Sequence, residues 1–332
     1  MNNAELMKRI VYGVAVGDAL GFPWQFAGRE SRKLRPVTDM GVSVDASGQV
    51  HPAREEEIGL WSDDTSLTLC LAESLARGYD LADQAQRFVQ WYYEGYLSAR
   101  DQAFDVGGQT SKAIRVLKDI LASGEHERLR DLLSEPAEDA NGNGALMRIL
   151  PLLIHIRDLE IGEQLRVVAE ASALTHPHIR SVLCCLWYLK YAEKLIDGVD
   201  KFEAARHTQS EIRELIDSTA CSTRDCAELR RLLEKDLSQG STDPEQSHCA
   251  DYISSGGYVV HTLEAAMYCL LNTSDYRQCV LAATNLGDDT DTVAAVAGGL
   301  AALLYGYESI PPEWIKSLKK PELLERIAGL YI

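Results

Sequence analysis

Three carboxylates and two hydroxyls occupy five consecutive positions near the end of the chain: Asp288, Asp289, Thr290, Asp291 and Thr292. Small apolar residues follow and predict a helix, whose free N–H groups an Asp or Thr side chain would cap. A cap needs only one or two of these side chains, and two carboxylates about 4 Å apart repel by roughly 4 kcal/mol at an effective dielectric of about 20. Protons or cations can neutralise such a cluster. The stretch therefore favours a cation site over a plain helix cap.

A second stretch repeats this chemistry at Ser62, Asp63, Asp64 and Thr65, again where a helix is predicted to begin. Neither stretch contains Cys or His, and an oxygen-only ligand set suits Mg²⁺, Mn²⁺ or Ca²⁺ rather than zinc or copper. Neither has the ligand spacing of an EF-hand loop. If the two helix starts meet in the folded chain, they could hold a pair of ions and activate water.

The charge balance limits the partners of this chain. Its 332 residues include 33 basic and 50 acidic side chains, a formal net charge of −17. Such a surface repels the phosphate backbone of nucleic acids, and no basic stripe offsets the repulsion, so we expect no nucleic-acid partner. An anionic small molecule could still bind where metal ions or helix N-termini provide local positive potential.

Hydropathy and cysteine usage indicate a cytoplasmic protein. No apolar run is long enough to span a bilayer, and the first residues lack the apolar segment of a signal peptide, so we expect no membrane association. Eight cysteines are scattered without the spacing of a zinc site or a secreted disulfide scaffold. Reduced thiols in the cytoplasm are the simplest interpretation of that pattern.

The elements that would position the acidic groups have helical periodicity. Leu6, Ile10 and Val14 mark a first helix, which continues into the small residues of 13–21. Those small residues permit close helix packing, whereas Asp18 among them would be costly to bury without a partner. Further helical patterns lie at 66–77, 81–95, 114–121, 147–156, 161–174, 183–195, 202–237, 262–271 and after Pro312, and 276–285 leads into the acidic stretch at 288–292.

Loops are expected between these helices. Residues from about 27 to 60 are polar and irregular, which predicts a loop over the site. Residues 136–143 predict another loop, and the Asn-Gly-Asn-Gly run at 141–144 suits positive φ and close approach of a ligand. A break falls at 175–178, and 238–255 is the best candidate for a mobile segment. Alternating strands are nearly absent, and neither repeats nor linkers stand out. The sequence therefore predicts one all-α domain, a compact helical bundle over 1–332.

Taken together, the motifs resemble the ADP-ribosylglycohydrolase family, which includes enzymes that release ADP-ribose from modified arginine. The resemblance extends over nearly the whole chain. Any one motif is weak, but seven in the same order are specific. They stand here as 17–21 (GDALG), 62–65 (SDDT), 105–107 (DVG), 142–148 (GNGALMR), 175–178 (THPH), 257–260 (GYVV) and 287–292 (GDDTDT).

The resemblance implies an all-α fold with two divalent ions, Mg²⁺ or Mn²⁺, in a central cleft. It places the metal ligands at Ser62, Asp63, Asp64, Asp289, Asp291 and Thr292. Asp63 or Asp64 would orient the attacking water. The residues that would line the ADP-ribose cleft are Asp105, Asn143, Gly144 and His176, with Tyr258 near the adenine end. The implied partner is an ADP-ribosylated protein or ADP-ribose itself, and the sequence leaves the oligomeric state open.

The chain departs from the family pattern at three positions. Many relatives carry Glu shortly after the GDALG motif, where this chain has Gln25. An amide cannot exchange a proton usefully near neutral pH, so Gln25 cannot perform the acid/base chemistry of that Glu. Gly108 stands where several relatives have Asn, and His261 stands where Asp is frequent.

Three functions are compatible with this sequence. The leading hypothesis is metal-assisted hydrolysis of the N-glycosidic bond between ADP-ribose and arginine. A second is hydrolysis of O-linked ADP-ribose on serine or on a small metabolite. The third, motivated by Gln25, is a non-hydrolytic binder, such as an antitoxin-like partner or a reader of ADP-ribosylated proteins. The complete set of metal ligands favours an enzyme.

Overall fold

The computed structural model describes residues 1–133, 139–218, 223–239 and 250–332, which form sixteen α-helices and three short strands. The helices are α1 (Asn3–Gly21), α2 (Arg29–Leu34), α3 (Asp63–Leu75), α4 (Leu81–Glu94), α5 (Gly108–Ser123), α6 (Arg128–Asp131), α7 (Leu153–Ile156), α8 (Ile161–Ala173), α9 (Ile179–Ile196), α10 (Lys201–Ser218), α11 (Thr223–Glu234), α12 (Val259–Leu271), α13 (Tyr276–Asn285), α14 (Thr290–Tyr305), α15 (Pro312–Ser317) and α16 (Pro321–Gly329). The strands β1 (Val37–Asp39), β2 (Val42–Val44) and β3 (Val50–Pro52) form one antiparallel sheet in that order. The all-α prediction is confirmed, with one small sheet added.

The sheet and α2 lie within 27–60, where an irregular loop over the site was predicted, and that prediction was wrong. Each strand has only three residues, too few for alternation of apolar and polar side chains to be visible in the sequence. The sheet is attached beside α13, because the Asn285 side chain accepts from Val37 N–H at 2.8 Å and donates to Val37 O at 2.9 Å. None of the residues 27–60 lines the cleft described below.

Helices α1 and α14 form the central pair, and both are buried along almost their whole length. A Cβ on Gly17 would lie 2.1 Å from the carbonyl oxygen of Ala294, and a Cβ on Gly21 would lie 2.3 Å from that of Thr290. Later positions of α1 thus meet earlier positions of α14, so the helices run antiparallel. Only glycine permits this backbone approach. The packing places the last turn of α1 against the first turn of α14.

Most predicted helices are present with boundaries shifted by a few residues. The pattern at 147–156 is interrupted instead: two 3₁₀ turns, at 146–148 and 150–152, precede α7. Pro151 lacks the N–H that a continuous helix would need there. The single terminal helix expected after Pro312 is two helices, α15 and α16. Parts of the segments predicted at 136–143, 202–237 and 238–255 lie outside the described residues.

Among the described residues, five cysteines have free, buried thiols: Cys70, Cys184, Cys185, Cys269 and Cys279. Across the described ranges, no helix combines the length and the apolarity that crossing a bilayer requires.

Candidate active site

Three helix ends meet beneath a surface cleft: the last turn of α1 and the first turns of α3 and α14. They bring together the carboxylates of Asp18, Asp64 and Asp291, which are far apart in the sequence. One oxygen from each lies within 4.8 Å of the others, and all three side chains are buried. Asp64 and Asp291 belong to the two acidic stretches identified in the sequence, so those stretches converge in the fold.

Asp18 fixes the first turn of α3. Its two carboxylate oxygens accept from Ser62 N–H at 2.9 and 3.0 Å, and one of them also accepts from Thr65 N–H at 3.1 Å and from the Thr65 hydroxyl at 2.6 Å. N–H groups at a helix start have no acceptor within the helix, so Asp18 satisfies two of them. The sequence showed only that Asp18 needs a partner once buried; it did not indicate that the partner is α3.

Asp64 is hydrogen-bonded through one oxygen only. Its Oδ2 accepts from Ser62 Oγ at 3.0 Å and from Thr292 Oγ1 at 3.5 Å. Its Oδ1 is buried, and the described residues supply no hydrogen-bond partner for it. Leaving a buried carboxylate oxygen without a partner is costly, so this atom marks a position where a proton or cation belongs.

Some of the remaining predicted metal ligands line the cleft, and others are buried behind its lining. Asp63, Asp289, Asp291 and Thr292 line it, whereas Ser62, like Asp64, is buried behind the lining. Asp289 is held in place at the start of α14. Its Oδ2 accepts from Asn143 Nδ2 at 2.7 Å, and its N–H donates to a carbonyl of the neighbouring 250–257 segment at 3.1 Å.

The electrostatics of the cluster favour neutralisation of its charge. Burial raises the pKa of Asp63, Asp64 and Asp291 well above the ordinary aspartate range, and neighbouring aspartates raise it further. Burial also raises the pKa of Asp18 to about 7, although hydrogen bonds from Thr65 and Ser62 oppose that shift. Without a cation, the buried carboxylates therefore tend to retain protons.

A divalent cation fits this arrangement of donors. The cluster offers carboxylate and hydroxyl oxygens, which hard cations such as Mg²⁺ and Mn²⁺ prefer. Asp64 Oδ1 has lone pairs that no described hydrogen bond uses. A bound cation would also offset the repulsion among carboxylates, which burial strengthens. The buried aspartates can therefore hold a metal ion.

The cleft above the acidic cluster has a volume of about 730 Å³, within the range of small-molecule sites. Its walls come from the segments 105–110, 142–144, 256–257 and 288–292. The N-terminus of α5 lies in this wall, and the first N–H groups of a helix point outward without an intrahelical acceptor. That end of α5 provides local positive potential for an anionic group in an otherwise acidic site.

The predicted substrate residues are placed unequally. Asp105, Asn143, Gly144 and His176 all line the cleft. Tyr258 does not belong to the lining: its backbone pairs with Gly142, its hydroxyl accepts from Arg180 at 3.5 Å, and its ring edge packs on His261. The Tyr258 hydroxyl therefore lies beside Arg180, and its contact with the adenine end of a ligand stays a prediction.

Asp105 connects the cleft wall to the acidic cluster. Its φ of 56° lies in the left-handed region, which a non-glycine residue adopts only when its surroundings hold it there. Burial raises the pKa of Asp105, while contacts with the side chains of Asp291 and Gln25 act in the opposite direction. The Gln25 amide therefore faces a carboxyl group that can carry a proton.

Phe26 is a cleft residue that the sequence analysis missed. Its side chain is 79% exposed at the cleft edge, and its φ is 62°. Phe26 N–H donates to Asp288 O at 2.7 Å, and Asp288 N–H donates to Ala27 O at 2.9 Å. These two bonds join the segment after α1 to the acidic turn before α14. No local pattern distinguishes an exposed phenylalanine from a buried one, so no sequence signal marked this position.

Comparisons with known proteins agree with this architecture. A family profile described as ADP-ribosylglycohydrolase matches residues 2–332. ADP-ribosylarginine hydrolase Tri1 of Pseudomonas putida is 29% identical, over 97% of this chain and 76% of that protein. The ADP-ribosyl-(dinitrogen reductase) glycohydrolase of Rhodospirillum rubrum is 28% identical, over 92% of this chain and 87% of that protein. A solved structure described as an ADP-ribosylglycohydrolase-related protein complex matches with a TM-score of 0.69 and 27% identity, covering 99% of this chain and 98% of its own. The chain therefore belongs to the ADP-ribosylglycohydrolase family and is an enzyme.

Proposed function

We propose that this enzyme hydrolyses the N-glycosidic bond between ADP-ribose and a modified arginine side chain of a protein. The observation that carries the proposal is the convergence of Asp64 and Asp291 at the base of the cleft, with Asp64 Oδ1 left without a partner among the described residues. The relative in Pseudomonas putida, named as an ADP-ribosylarginine hydrolase, aligns over 97% of the chain and supports arginine as the modified residue.

The cleft suits ADP-ribose in size and charge. Its volume of about 730 Å³ is ample for a nucleotide sugar. A diphosphate carries negative charge, which this acidic chain would repel without a local source of positive potential. The N-terminus of α5 supplies one source, and Gly107 and Gly108 let a ligand approach its backbone because they carry no side chain.

The residues proposed to hold two divalent ions, Mg²⁺ or Mn²⁺, are Ser62, Asp63, Asp64, Asp289, Asp291 and Thr292. When bound, such ions supply Lewis-acid activation and neutralise charge at the reacting centre. Asp18 acts indirectly, since it orients the turn that presents Asp63 and Asp64. Asn143 acts similarly on Asp289 through its 2.7 Å hydrogen bond.

Asp63 is the best placed of the aspartates in α3 to accept a proton from the attacking water. It lines the cleft, whereas Asp64 is 1% exposed and its Oδ2 already accepts two hydrogen bonds. Water would add to the anomeric carbon of the ribose while the carbon–nitrogen bond to the guanidine breaks. One proton of the water passes to Asp63, and the departing guanidine gains one proton.

The proton for the guanidine is proposed to come from Asp105 or from water in the cleft. Gln25 occupies the place of the family's Glu and has no proton to exchange near neutral pH, but it faces Asp105. Burial raises the pKa of Asp105, so this carboxyl group holds a proton more readily than an exposed aspartate does. The function of Gln25 is then to orient Asp105.

Release of ADP-ribose from arginine-modified protein tests the proposal. We expect release that stops with a chelator and returns with Mg²⁺ or Mn²⁺. We also expect none from Asp63→Asn and full activity from Asp158→Asn, which changes an 89% exposed aspartate outside the cleft. Equal release by Asp63→Asn and wild type would overturn the assignment. Release from serine-linked peptide alone would move the proposal to O-linked ADP-ribose.

A further inference from the structure

His176 is held between the cleft and a buried polar group. The side chain is 3% exposed, and Nδ1 lies 2.9 Å from Thr175 Oγ1. The other edge of the ring faces the 142–144 loop, where a Cβ on Gly142 would lie 3.4 Å from Nε2. Nε2 makes no hydrogen bond within the described part of the chain, and His176 is part of the cleft lining. Nε2 is therefore the ring atom available to a ligand.

Arg148 lies behind this histidine as a buried cation. Its Nη1 donates to Gly144 O at 3.2 Å, and its Nη2 donates to Ala171 O at 3.1 Å and to Thr175 Oγ1 at 3.0 Å. A guanidinium group has only donors, so the Thr175 oxygen must accept from it. Arg148 thereby fixes the direction of one hydrogen bond at the Thr175 hydroxyl.

The Thr175 hydroxyl hydrogen then has only one acceptor among the described residues. Arg148 and His176 are the two partners of this oxygen in the described structure. Because the Thr175 oxygen accepts the hydrogen bond from Arg148, the hydroxyl hydrogen is free to donate to Nδ1 of His176. Nδ1 is then an acceptor and carries no proton. The opposite tautomer would leave the hydroxyl hydrogen buried without an acceptor, which is unfavourable. Burial, with a contribution from Arg148, lowers the pKa of His176 to about 3, so the ring is neutral and must carry its proton on one nitrogen only.

We propose that Arg148, acting through Thr175, holds His176 as the neutral tautomer protonated on Nε2, so that the ring presents a fixed hydrogen-bond donor to an acceptor oxygen in the cleft. Arg148 and Thr175 are positioning residues in this scheme. That the acceptor belongs to ADP-ribose rests on the proposed function. The tautomer itself is a property of the free protein and does not depend on the ligand.

Nitrogen-15 NMR of the histidine rings tests the tautomer directly. We expect the wild-type signals of His176, assigned by their loss in His176→Gln, to show an unprotonated Nδ1 and a protonated Nε2 at neutral pH. Thr175→Val removes the hydroxyl and should bring in the Nδ1-protonated form, whereas Thr175→Ser should restore the wild-type pattern. Arg148→Met should also allow the second tautomer. A protonated Nδ1 in wild type, or an unchanged pattern in Thr175→Val, would overturn the proposal.

Calorimetry with ADP-ribose tests whether the donor serves the ligand. We expect Thr175→Val to weaken binding about tenfold, the size of one lost hydrogen bond in a buried site, and Thr175→Ser to bind like wild type. Thr208→Val is the matched control, because Thr208 is a buried threonine on α10 that does not line the cleft. Equal affinity of Thr175→Val and wild type for ADP-ribose would contradict the proposal that His176 Nε2 donates to this ligand. Absence of binding in wild type with the expected NMR pattern would contradict the proposed function and leave the tautomer established.

Discussion

Thr292 Oγ1 lies 3.5 Å from Asp64 Oδ2, although 228 positions separate the two residues. The close packing of α1 against α14 places the first turn of α14 beside the last turn of α1. Asp18 in that last turn of α1 holds the start of α3 through hydrogen bonds, so the contact between α3 and α14 can form. Three helix ends thus form one acidic site.

Gly17→Ala should destabilise the fold, because the new Cβ would lie 2.1 Å from the Ala294 carbonyl oxygen and neither backbone can move independently. Overpacking of this kind costs about 3 kcal/mol. Gly162→Ala in α8 is the matched control: its Cβ would meet nothing within 4 Å, and alanine should gain up to about 1 kcal/mol in a helix. Urea unfolding measures both. Equal stability of the two variants would show that α1 and α14 can separate without loss.

Asp64→Asn should stabilise the metal-free protein and abolish its response to metal. The substitution removes one charge from a buried group of like charges while it keeps a similar shape. We expect the Tm in chelator to rise by roughly 1–2 °C, the shift that corresponds to about 1 kcal/mol in a chain of this size. Addition of Mg²⁺ or Mn²⁺ should no longer raise it.

Differential scanning fluorimetry with and without metal makes the comparison, with Asp158→Asn as the surface control. A lower Tm for Asp64→Asn in chelator would mean that the carboxylate stabilises the fold even without a cation, contrary to the electrostatic account.

The stabilisation by metal should decrease as the pH falls. Burial, reinforced by neighbouring aspartates, raises the pKa of Asp63, Asp64 and Asp291 above the unfolded value. A raised acid pKa contributes stability at low pH that is lost as pH rises through the folded pKa. The metal-free protein therefore loses this contribution toward neutral pH, where ionised carboxylates bind metal best.

The Tm gain on adding Mn²⁺, measured at intervals from roughly pH 5 to pH 8, should be largest at the upper end. A gain independent of pH would indicate that the ion binds elsewhere.

Gln25→Glu should speed the hydrolysis of arginine-linked ADP-ribose. A glutamate there would supply an exchangeable proton beside Asp105, which the amide cannot do. General acid catalysis contributes roughly 10²–10⁴-fold when fully developed, so we expect kcat to rise at least about tenfold and to acquire a new limb in its pH profile. Gln25→Ala removes the group that orients Asp105 and adds no proton donor. It should therefore lower kcat without adding a new limb to the pH profile. Identical pH profiles for Gln25→Glu and wild type would contradict this account.

Phe26→Ala should impair the enzyme toward modified protein only. The ring is 79% exposed at the cleft edge, where it could contact the polypeptide that carries the modification. Loss of one peripheral aromatic contact costs about 1 kcal/mol, so KM for modified protein should rise roughly fivefold. KM for free ADP-ribosyl-arginine should not change. Val50→Ala, an exposed residue on β3 away from the cleft, is the control.

Local sequence identified the two acidic stretches and the helices that begin at them. Adjacent Asp and Thr residues before an apolar helical pattern are visible without any tertiary information, because helix capping and hydrophobic periodicity act over a few residues. Glycines in 13–21 likewise indicated close packing of the first helix. The helical fold class followed from these patterns, and the family resemblance followed from the seven motifs; both are confirmed.

Tertiary structure alone decided how these pieces combine. Asp18 joins the acidic cluster, the Tyr258 hydroxyl accepts from Arg180, and Phe26 lies exposed at the cleft edge. Each outcome depends on contacts between residues far apart in the chain, which no local pattern encodes. The strands at 37–52 were missed for a related reason, since three-residue strands are fixed by pairing and by their attachment to α13. The position where each helix begins is encoded in a few neighbouring residues. The packing of α1 against α14 decided that these helix ends lie together.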